Sequence, residues 1–339
     1  MPKWQMPLKP DSSDLATCND TRSPISKPHC SVSLKAVEFF SGIGAFRSLA
    51  PEFGIKVVQA FDQSQDANLV YAANFGERVC TRNLDSISSS EILDADFWWM
   101  SPPCKPFSRR GKQGDLNDTR AAAVLNLIKL IEEKTPTYFA LENVLGFEDS
   151  EAEALLLGTL SNAGYKFRKV KLCPTQFGIP MQRPRLILVA SRADQIKDFN
   201  VPNAAEKEPL QKFLQENNLA YNNLELEPLV LKKYYDSLNI IKANEPCSQC
   251  ICFTSGYGKS LKASGSYLET ASGSIRYFAP EEILALLGFN KEFQFPDKMS
   301  LATRWRLVGN TVELRSLRAA LSILLQNRIF AGTGKLPAI

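Results

Sequence analysis

The chain has 339 residues, enough for a large core and one principal domain with a smaller lobe attached. Its composition is that of an ordinary globular protein, 44% apolar and 22% charged, and a net charge of +4 permits a polyanionic partner without demanding one. No apolar run approaches the ~20 residues a bilayer span needs, and the opening Met1-Pro2-Lys3-Trp4 lacks a secretory core. The expectation is therefore a soluble intracellular protein.

Residues 1–33 are rich in Pro, Ser, Asp and Lys without periodicity, which predicts a flexible tail. Strand and helix signals alternate from Lys35 onward. The apolar run Ala36–Phe40 enters the turn Ser41-Gly42-Ile43-Gly44. A second run, Val57–Phe61, ends at Asp62 and leads into a helical stretch through Asn74. Asp96–Met100 predicts a third strand, whose Phe97-Trp98-Trp99 suits a buried β position. A helix over Ala121–Ile131, a strand over Thr137–Leu141, a helix over Ala152–Leu160 and a strand over Leu186–Ala190 follow. Repeated βα units predict an α/β fold with a doubly wound, mostly parallel sheet and helices on both faces.

Beyond Ser191 the pattern degrades into polar sequence with Asn clusters and a Gly/Ser-rich stretch from Ser255 to Ser274. This region, 191–275, is expected to form a small inserted lobe that reads the substrate. Helical signals return at Pro280–Leu287 and Leu314–Leu325, separated by a stretch that contains Gly309-Asn310. The expected organisation is a tail (1–33), a main domain (34–190), the lobe (191–275), a segment returning to the main domain (276–330) and a short tail (331–339).

Four constellations carry chemistry. The glycine turn after the first strand lets backbone approach a nucleotide-like ligand, and Asp62, ~20 residues on, is placed to accept ribose hydroxyls. A tight strand–helix turn is the plainer alternative, and a nicotinamide cofactor stays open although the third glycine is missing. Next, Ser101-Pro102-Pro103-Cys104 follows a buried strand, at the sheet edge where ligands bind. The prolines stiffen the approach to the thiol. The residues Lys105, Arg109, Arg110 and Lys112 surround it with positive charge, which favours thiolate and suits phosphate; a structural cysteine beside a turn is the rival.

Third, Leu141-Glu142-Asn143-Val144 puts a carboxyl group at a strand end, where it can protonate a heterocycle or merely cap a helix. Fourth, Gln182-Arg183-Pro184-Arg185 carries two arginines at spacing two, expected to reach one group from the same side of an extended chain. Residues 166–185 hold six bases and no acid, which reads as a phosphate grip or as a solvated basic face.

The eight cysteines read as reduced thiols, and the single histidine, His29, leaves little room for imidazole chemistry. Cys247, Cys250 and Cys252 lie close together, but zinc wants four ligands and no histidine is near. No metal is expected there.

The order of these elements is more specific than any one of them. Glycine turn, acid, Pro-Pro-Cys, Glu-Asn-Val, Arg-x-Arg and Gly-Asn-Thr-Val together resemble the cytosine-5 methyltransferase family over about residues 35–190 and 277–325. The resemblance implies a Rossmann-like fold that binds S-adenosylmethionine. Cys104 would attack cytosine carbon 6, Glu142 would bond ring nitrogen 3, and Arg183 and Arg185 would hold the base and the active-site loop. The cofactor would lie against Phe40, Gly42, Ile43, Gly44 and Ala45, with Asp62 on the ribose. Asn83 and Leu84 would flank the adenine; Ser101, Pro103, Asn310 and Thr311 would line the methionine side. Lys105, Arg109 and Arg110 would contact nucleic acid.

A narrower likeness lies in the lobe. Cys252-Phe253-Thr254, then Gly256-Tyr257-Gly258-Lys259 and Gly265-Ser266-Tyr267, resemble the eukaryotic tRNA (cytosine-38) branch of the family. That implies aspartate tRNA as substrate, substrate contacts from Cys252, Phe253 and Thr254, weak DNA binding, a monomer, and work in the cytoplasm and nucleus. The chain departs from the branch pattern at Lys105 (usually glutamine), Ala45 (usually glycine) and Pro184. Rival expectations are a DNA cytosine-5 methyltransferase, a catalytically silent nucleic-acid-binding regulator and, more distantly, a flavin or nicotinamide oxidoreductase.

Overall fold

Trp98 and Trp99 are each about 1% exposed and face opposite sides of one sheet, which is why their strand is apolar throughout. The structure is a computed structural model describing residues 33–103, 121–196, 205–215, 224–245 and 248–332, with side chains through 326. Cys104, Lys105, Arg109 and Arg110 lie outside the described residues, as do Cys247 and most of both expected tails.

The first half alternates strand and helix: β1 (Leu34–Phe39), α1 (Ala45–Leu49), β2 (Ile55–Phe61), α2 (Gln65–Phe75), β3 (Phe97–Met100), α3 (Ala122–Lys134), β4 (Tyr138–Asn143) and α4 (Glu151–Asn162). Then come β5 (Lys166–Leu172) and β6 (Arg185–Ser191). The six strands form one sheet in the order β2-β1-β3-β4-β6-β5. Neighbours from β2 to β4 are parallel, whereas β6 runs antiparallel to both β4 and β5. A short irregular link without a crossover helix joins β5 to β6, and such a link permits only antiparallel pairing.

β5 was not among the predicted strands. Its basic residues suggested a phosphate grip or a solvated face, and it is the sheet's edge strand. Charged side chains suit such an edge, because they discourage pairing with another chain. Helices α3 and α4 cover one face with Val124, Leu127, Ile128 and Leu156; the other face packs on α1 and α2 through Phe46, Val70 and Tyr71.

The lobe contains α5 (Pro228–Tyr234) and a three-stranded sheet of β7 (Asn239–Lys242), β8 (Ser266–Glu269) and β9 (Ile275–Tyr277) in that order. The chain then returns through α6 (Pro280–Leu286), α7 (Leu301–Asn310) and α8 (Leu314–Gly332), and α8 packs beside β6 and α1. Aromatic rings weld the lobe to α7. Tyr257 meets Trp305 with centroids 5.5 Å apart, Tyr277 meets Trp305 at 4.9 Å, and Phe253 meets Tyr257 at 5.0 Å. The Trp305 indole donates to the Phe278 carbonyl at 2.8 Å, and Tyr257 donates to the Ser266 carbonyl at 2.6 Å.

Two glycines of the Gly/Ser-rich stretch have a packing cause. A Cβ on Gly258 would stand 2.3 Å from the Trp305 ring, and one on Gly265 would stand 2.5 Å from both Phe253 and Tyr257.

Candidate active site

The sheet order reverses between β1 and β3, because the chain leaves β1 for β2 on one side and comes back to β3 on the other. Ligands bind outside the carboxyl ends of strands at such a point. A cavity of about 1210 Å³ opens there, bounded on one side by the strand ends and on the other by the lobe and α7.

The strand-end wall starts from two strained positions. Phe40 and Gly42 both take left-handed backbone (φ 56° and 54°), and both line the cavity. For phenylalanine that conformation is costly, so its surroundings must hold it; the Ser101 hydroxyl donates to the Phe40 carbonyl at 3.0 Å. Asp62 ties the second strand to the glycine turn. Its Oδ2 accepts from the Gly42 amide at 2.8 Å and its Oδ1 from the Ser64 amide at 2.7 Å. Burial raises the Asp62 pKa, while those two amides pull it down. Ile43, Ala45, Leu84, Ser101 and Pro103 share this wall.

Two expected cofactor contacts are displaced. Gly44 does not line the cavity; its φ is 91°, and a Cβ there would sit 2.3 Å from the Phe75 ring. Its role is to let the turn pack on α2. Asn83 is also set back from the lining, and its side-chain oxygen accepts from Gln63 at 2.9 Å. Gln63 is the residue at the cavity, so Asn83 can act only through it.

Glu142 closes the floor at the end of β4. Its carboxylate meets Arg185 Nε at 2.9 Å, with both side chains largely buried. Burial pushes the Glu142 pKa up against the lowering pull of Arg185 and Arg183, so this acid keeps its proton more readily than a solvated glutamate. Asn143 next to it donates to the Pro102 carbonyl at 3.4 Å, linking the end of β4 to the segment that leads into Cys104.

The arginine pair shares Cys252, and each arginine has further partners of its own. Arg185 begins β6 and turns to Glu142, whereas Arg183 lies before the strand, with Pro184 between them, and is 3% exposed. The Arg183 guanidinium donates to the carbonyls of Phe253 (2.9 Å), Gly309 (3.1 Å) and Thr311 (2.6 Å) and to Cys252 Sγ (3.3 Å). Arg183 thus fastens the lobe loop and the end of α7 to the main sheet while lining the cavity itself.

The opposite wall is built on that clamp. Cys252, Thr254, Asn310 and Thr311 line the cavity. At Cys252 burial pushes the thiol pKa up, but the Arg183 and Arg185 charges outweigh it and leave it lowered. Cys250 is fully buried and its pKa is raised by that burial, so it offers no surface thiol. Phe253 also lines the cavity; its ring is 1% exposed and packs against Tyr257 and Phe278 in the core of the lobe.

The basic segment 166–185 also grips less than its composition suggested. Lys171 pairs with Glu148 at 2.5 Å and Lys169 with Glu153 at 3.2 Å, while Arg183 and Arg185 face inward. Several cavity residues escaped the sequence reading: Glu38, Gln63, Trp99, Lys259 and Arg306. Arg306 bridges to Asp66 at 2.5 Å, and Lys259 stands exposed at the rim. The Gly256-Tyr257-Gly258-Lys259 segment was noticed for its resemblance, but nothing in the sequence assigned the lysine to a cavity.

Residues 34–323 match the sequence family described as C-5 cytosine-specific DNA methylase. The chain is 28% identical to the Homo sapiens tRNA (cytosine(38)-C(5))-methyltransferase, over 86% of this chain and 99% of that protein. It is equally similar, at 28%, to a Dictyostelium discoideum protein named DNA (cytosine-5)-methyltransferase, over 86% of this chain and 94% of the other. The crystal structure of the Schizosaccharomyces pombe Dnmt2 methyltransferase superposes with a TM-score of 0.79 at 26% identity, covering 87% of this chain and 99% of that one.

Proposed function

Since the chain belongs to the C-5 cytosine-specific DNA methylase family, we propose that it methylates carbon 5 of a cytosine in tRNA, using S-adenosylmethionine and a covalent Cys104 adduct. The favoured target is cytosine 38 in the anticodon loop of aspartate tRNA. The observation that carries the reading is the buried Glu142–Arg185 pair, placed beside the Pro-Pro segment that precedes Cys104 and facing the Cys252–Thr254 loop across one cavity.

S-adenosylmethionine, when bound, supplies an electrophilic methyl group. The residues present fit such a ligand. Each Asp62 oxygen keeps a lone pair for a ribose hydroxyl, Leu84 offers an apolar surface to the adenine, and Glu38 Oε1 and Ser41 Oγ are buried acceptors without a donor. In the reaction the Cys104 thiolate adds to carbon 6 while Glu142 delivers its proton to ring nitrogen 3. Carbon 5 thereby becomes nucleophilic and takes the methyl group. Loss of the proton from carbon 5 expels the thiolate, restores the ring and returns the nitrogen-3 proton to Glu142. Arg185 holds the Glu142 carboxyl in place throughout.

A loop base is already partly unstacked, so bringing it into this cavity costs less than flipping one from a duplex. Lys259 at the rim, with Lys105, Arg109 and Arg110 of the cysteine loop, would hold the backbone. The enzyme would act as a monomer in the cytoplasm and nucleus, where tRNA is processed. The relatives' names support the RNA reading, and the Dictyostelium relative keeps DNA as the second reading. Incubation with labelled S-adenosylmethionine and either total tRNA or duplex DNA separates them, with bisulfite sequencing to map the site. We expect tRNA to receive at least ~100-fold more label than duplex DNA, since only the loop presents an unstacked base. Comparable labelling of duplex DNA at a fixed sequence would replace the RNA reading by the DNA one.

A further inference from the structure

The cavity has an apolar lip beside its most polar floor. Leu145 lines the cavity and is 40% exposed. Pro184, between the two arginines, lines it too and is exposed. The two residues come from neighbouring strands. The antiparallel register of β4 and β6 ends with Asn143 opposite Leu186, so Leu145 and Pro184 leave the sheet at the same end of the same strand pair. Each stands within three residues of the Glu142–Arg185 ion pair.

A lone exposed leucine on an open surface needs no explanation, but this one is held at a cavity by an anchored turn. The 3₁₀ turn Leu145–Phe147 is fixed from below by the Phe147 ring, fully buried in the core shared with α3 and α4. The Val144 amide donates to the Asn143 side-chain oxygen at 2.8 Å, and its carbonyl accepts from Phe147 at 3.0 Å. The Leu145 carbonyl accepts from the Glu148 amide at 3.2 Å, and Glu148 is itself held by Lys171. On the other side Pro184 has no N–H, and its carbonyl accepts from Arg185 Nη1 at 2.8 Å. The carbonyls of the lip are therefore taken, and what it presents is hydrocarbon.

We propose that Leu145 and Pro184 form a shelf for the nucleobase next to the target cytosine in single-stranded RNA. The inference rests on reading Glu142 as the acid that meets that cytosine. Three residues of chain reach at most ~11 Å, so Leu145 lies within one or two nucleotides of a base held at Glu142. Every nucleobase has a flat face that packs on hydrocarbon, and a lip whose carbonyls are occupied does not read base edges. The shelf therefore senses strand state and not base identity. A base inside a duplex keeps both faces stacked on its neighbours, whereas a loop base can turn one face to the shelf. Leu145 and Pro184 are thus specificity-determining residues for a loop over a duplex.

The test is a double-mutant cycle between protein and RNA, run on the full-length protein with a hairpin RNA that carries the target cytosine in its loop. The hairpin is made intact and with an abasic nucleotide on either side of the cytosine. Leu145→Ala should raise the Kd of the intact hairpin about 5–10-fold, and Leu145→Met should restore binding to within about twofold of wild type. On the hairpin that lacks the contacted base, wild type and Leu145→Ala should bind within about twofold of each other, because the leucine has lost what it touches. Pro184→Ala should couple to the same flank. Exchanging that flanking base for any other should change wild-type binding less than about threefold.

An equal loss on the intact hairpin and on both abasic hairpins would mean that Leu145 acts through the fold, and it overturns the proposal. So does a Leu145→Ala protein that binds the intact hairpin as tightly as wild type. A preference for one flanking base beyond about tenfold overturns the claim that the shelf ignores identity. Pro184→Ala supplies the cycle if Leu145→Ala fails to fold. Methyl transfer from S-adenosylmethionine to the intact hairpin by the wild type separates this proposal from the reading beneath it. With transfer and an additive cycle, the shelf falls and the cytosine-methylating reading stands; with no transfer to any RNA, that reading falls and the shelf with it.

Discussion

The two walls of the cavity are made in different ways. The strand-end wall is placed by the sheet: Phe40, Asp62, Ser101 and Glu142 each follow or end a strand whose neighbours are hydrogen-bonded in register. Among the described residues the lobe wall has only one such link, a backbone bridge between Met181 and Cys250. Its loop and the end of α7 are otherwise held by one buried guanidinium and by an aromatic cluster. Chemistry on the first wall can therefore be altered without disturbing the fold, whereas the second wall is fold and site at once.

Arg183→Ala tests that contrast most severely. It leaves the Phe253, Gly309 and Thr311 carbonyls without that donor, so stability should fall by ~3–5 kcal/mol and the loop around Cys252 should become protease-sensitive. Denaturant unfolding with limited proteolysis would show it. Stability within 1 kcal/mol of wild type would mean that the rings and the Met181–Cys250 backbone bridge hold the lobe without Arg183.

On the other wall, Glu142→Gln should spare the fold and lower kcat by ~10²–10⁴-fold, with RNA affinity little changed. Single-turnover kinetics and a binding isotherm separate the two effects. Loss of binding with normal turnover at saturation would contradict the acid role.

Gly309→Ala sharpens the comparison further. Its Cβ would stand 2.3 Å from the Thr254 carbonyl carbon, which is backbone and cannot swing away. We expect a loss of ~1–3 kcal/mol, read by thermal unfolding, and loss of activity beyond what the stability change explains.

The smallest effect has the opposite sign. The folded Glu38 pKa lies at about 8, above the ordinary carboxyl value of 4.5. As pH rises between those values the unfolded chain ionises and the folded one does not, so stability is lost. Without cofactor, Glu38→Gln should therefore be more stable than wild type at pH 8. The gap should close toward pH 4.5. A gap that did not vary with pH would remove Glu38 as the titrating group.

The same division explains what was legible in the sequence. Strand ends announce themselves: an apolar run that stops at Gly42, Asp62, Cys104 or Glu142 places each at one sheet edge before any coordinates exist. Glu38 was legible in principle, as a lone acid within the apolar run Ala36–Phe40, but a run scored for strand character conceals it. The lobe was legible as a polar insertion but its internal order was not, because that order comes from contacts distant in sequence. Trp305 explains Gly258, and Gly309 explains the close approach of Thr254, across separations no local pattern spans. The Arg183–Arg185 spacing pointed to a shared group, which Cys252 provides, but not to the three carbonyls that Arg183 also holds.

The central claim is that the Cys104 thiol bonds to a cytosine of tRNA. It is tested most directly with aspartate tRNA carrying 5-fluorocytidine at position 38, because a fluorine at carbon 5 cannot leave as the proton does. With S-adenosylmethionine present, the account predicts a denaturation-resistant protein–RNA adduct that peptide mass spectrometry maps to Cys104 and that Cys104→Ala does not form. An adduct on another residue, or methyl transfer persisting in Cys104→Ala at a tenth or more of the wild-type rate, would contradict it.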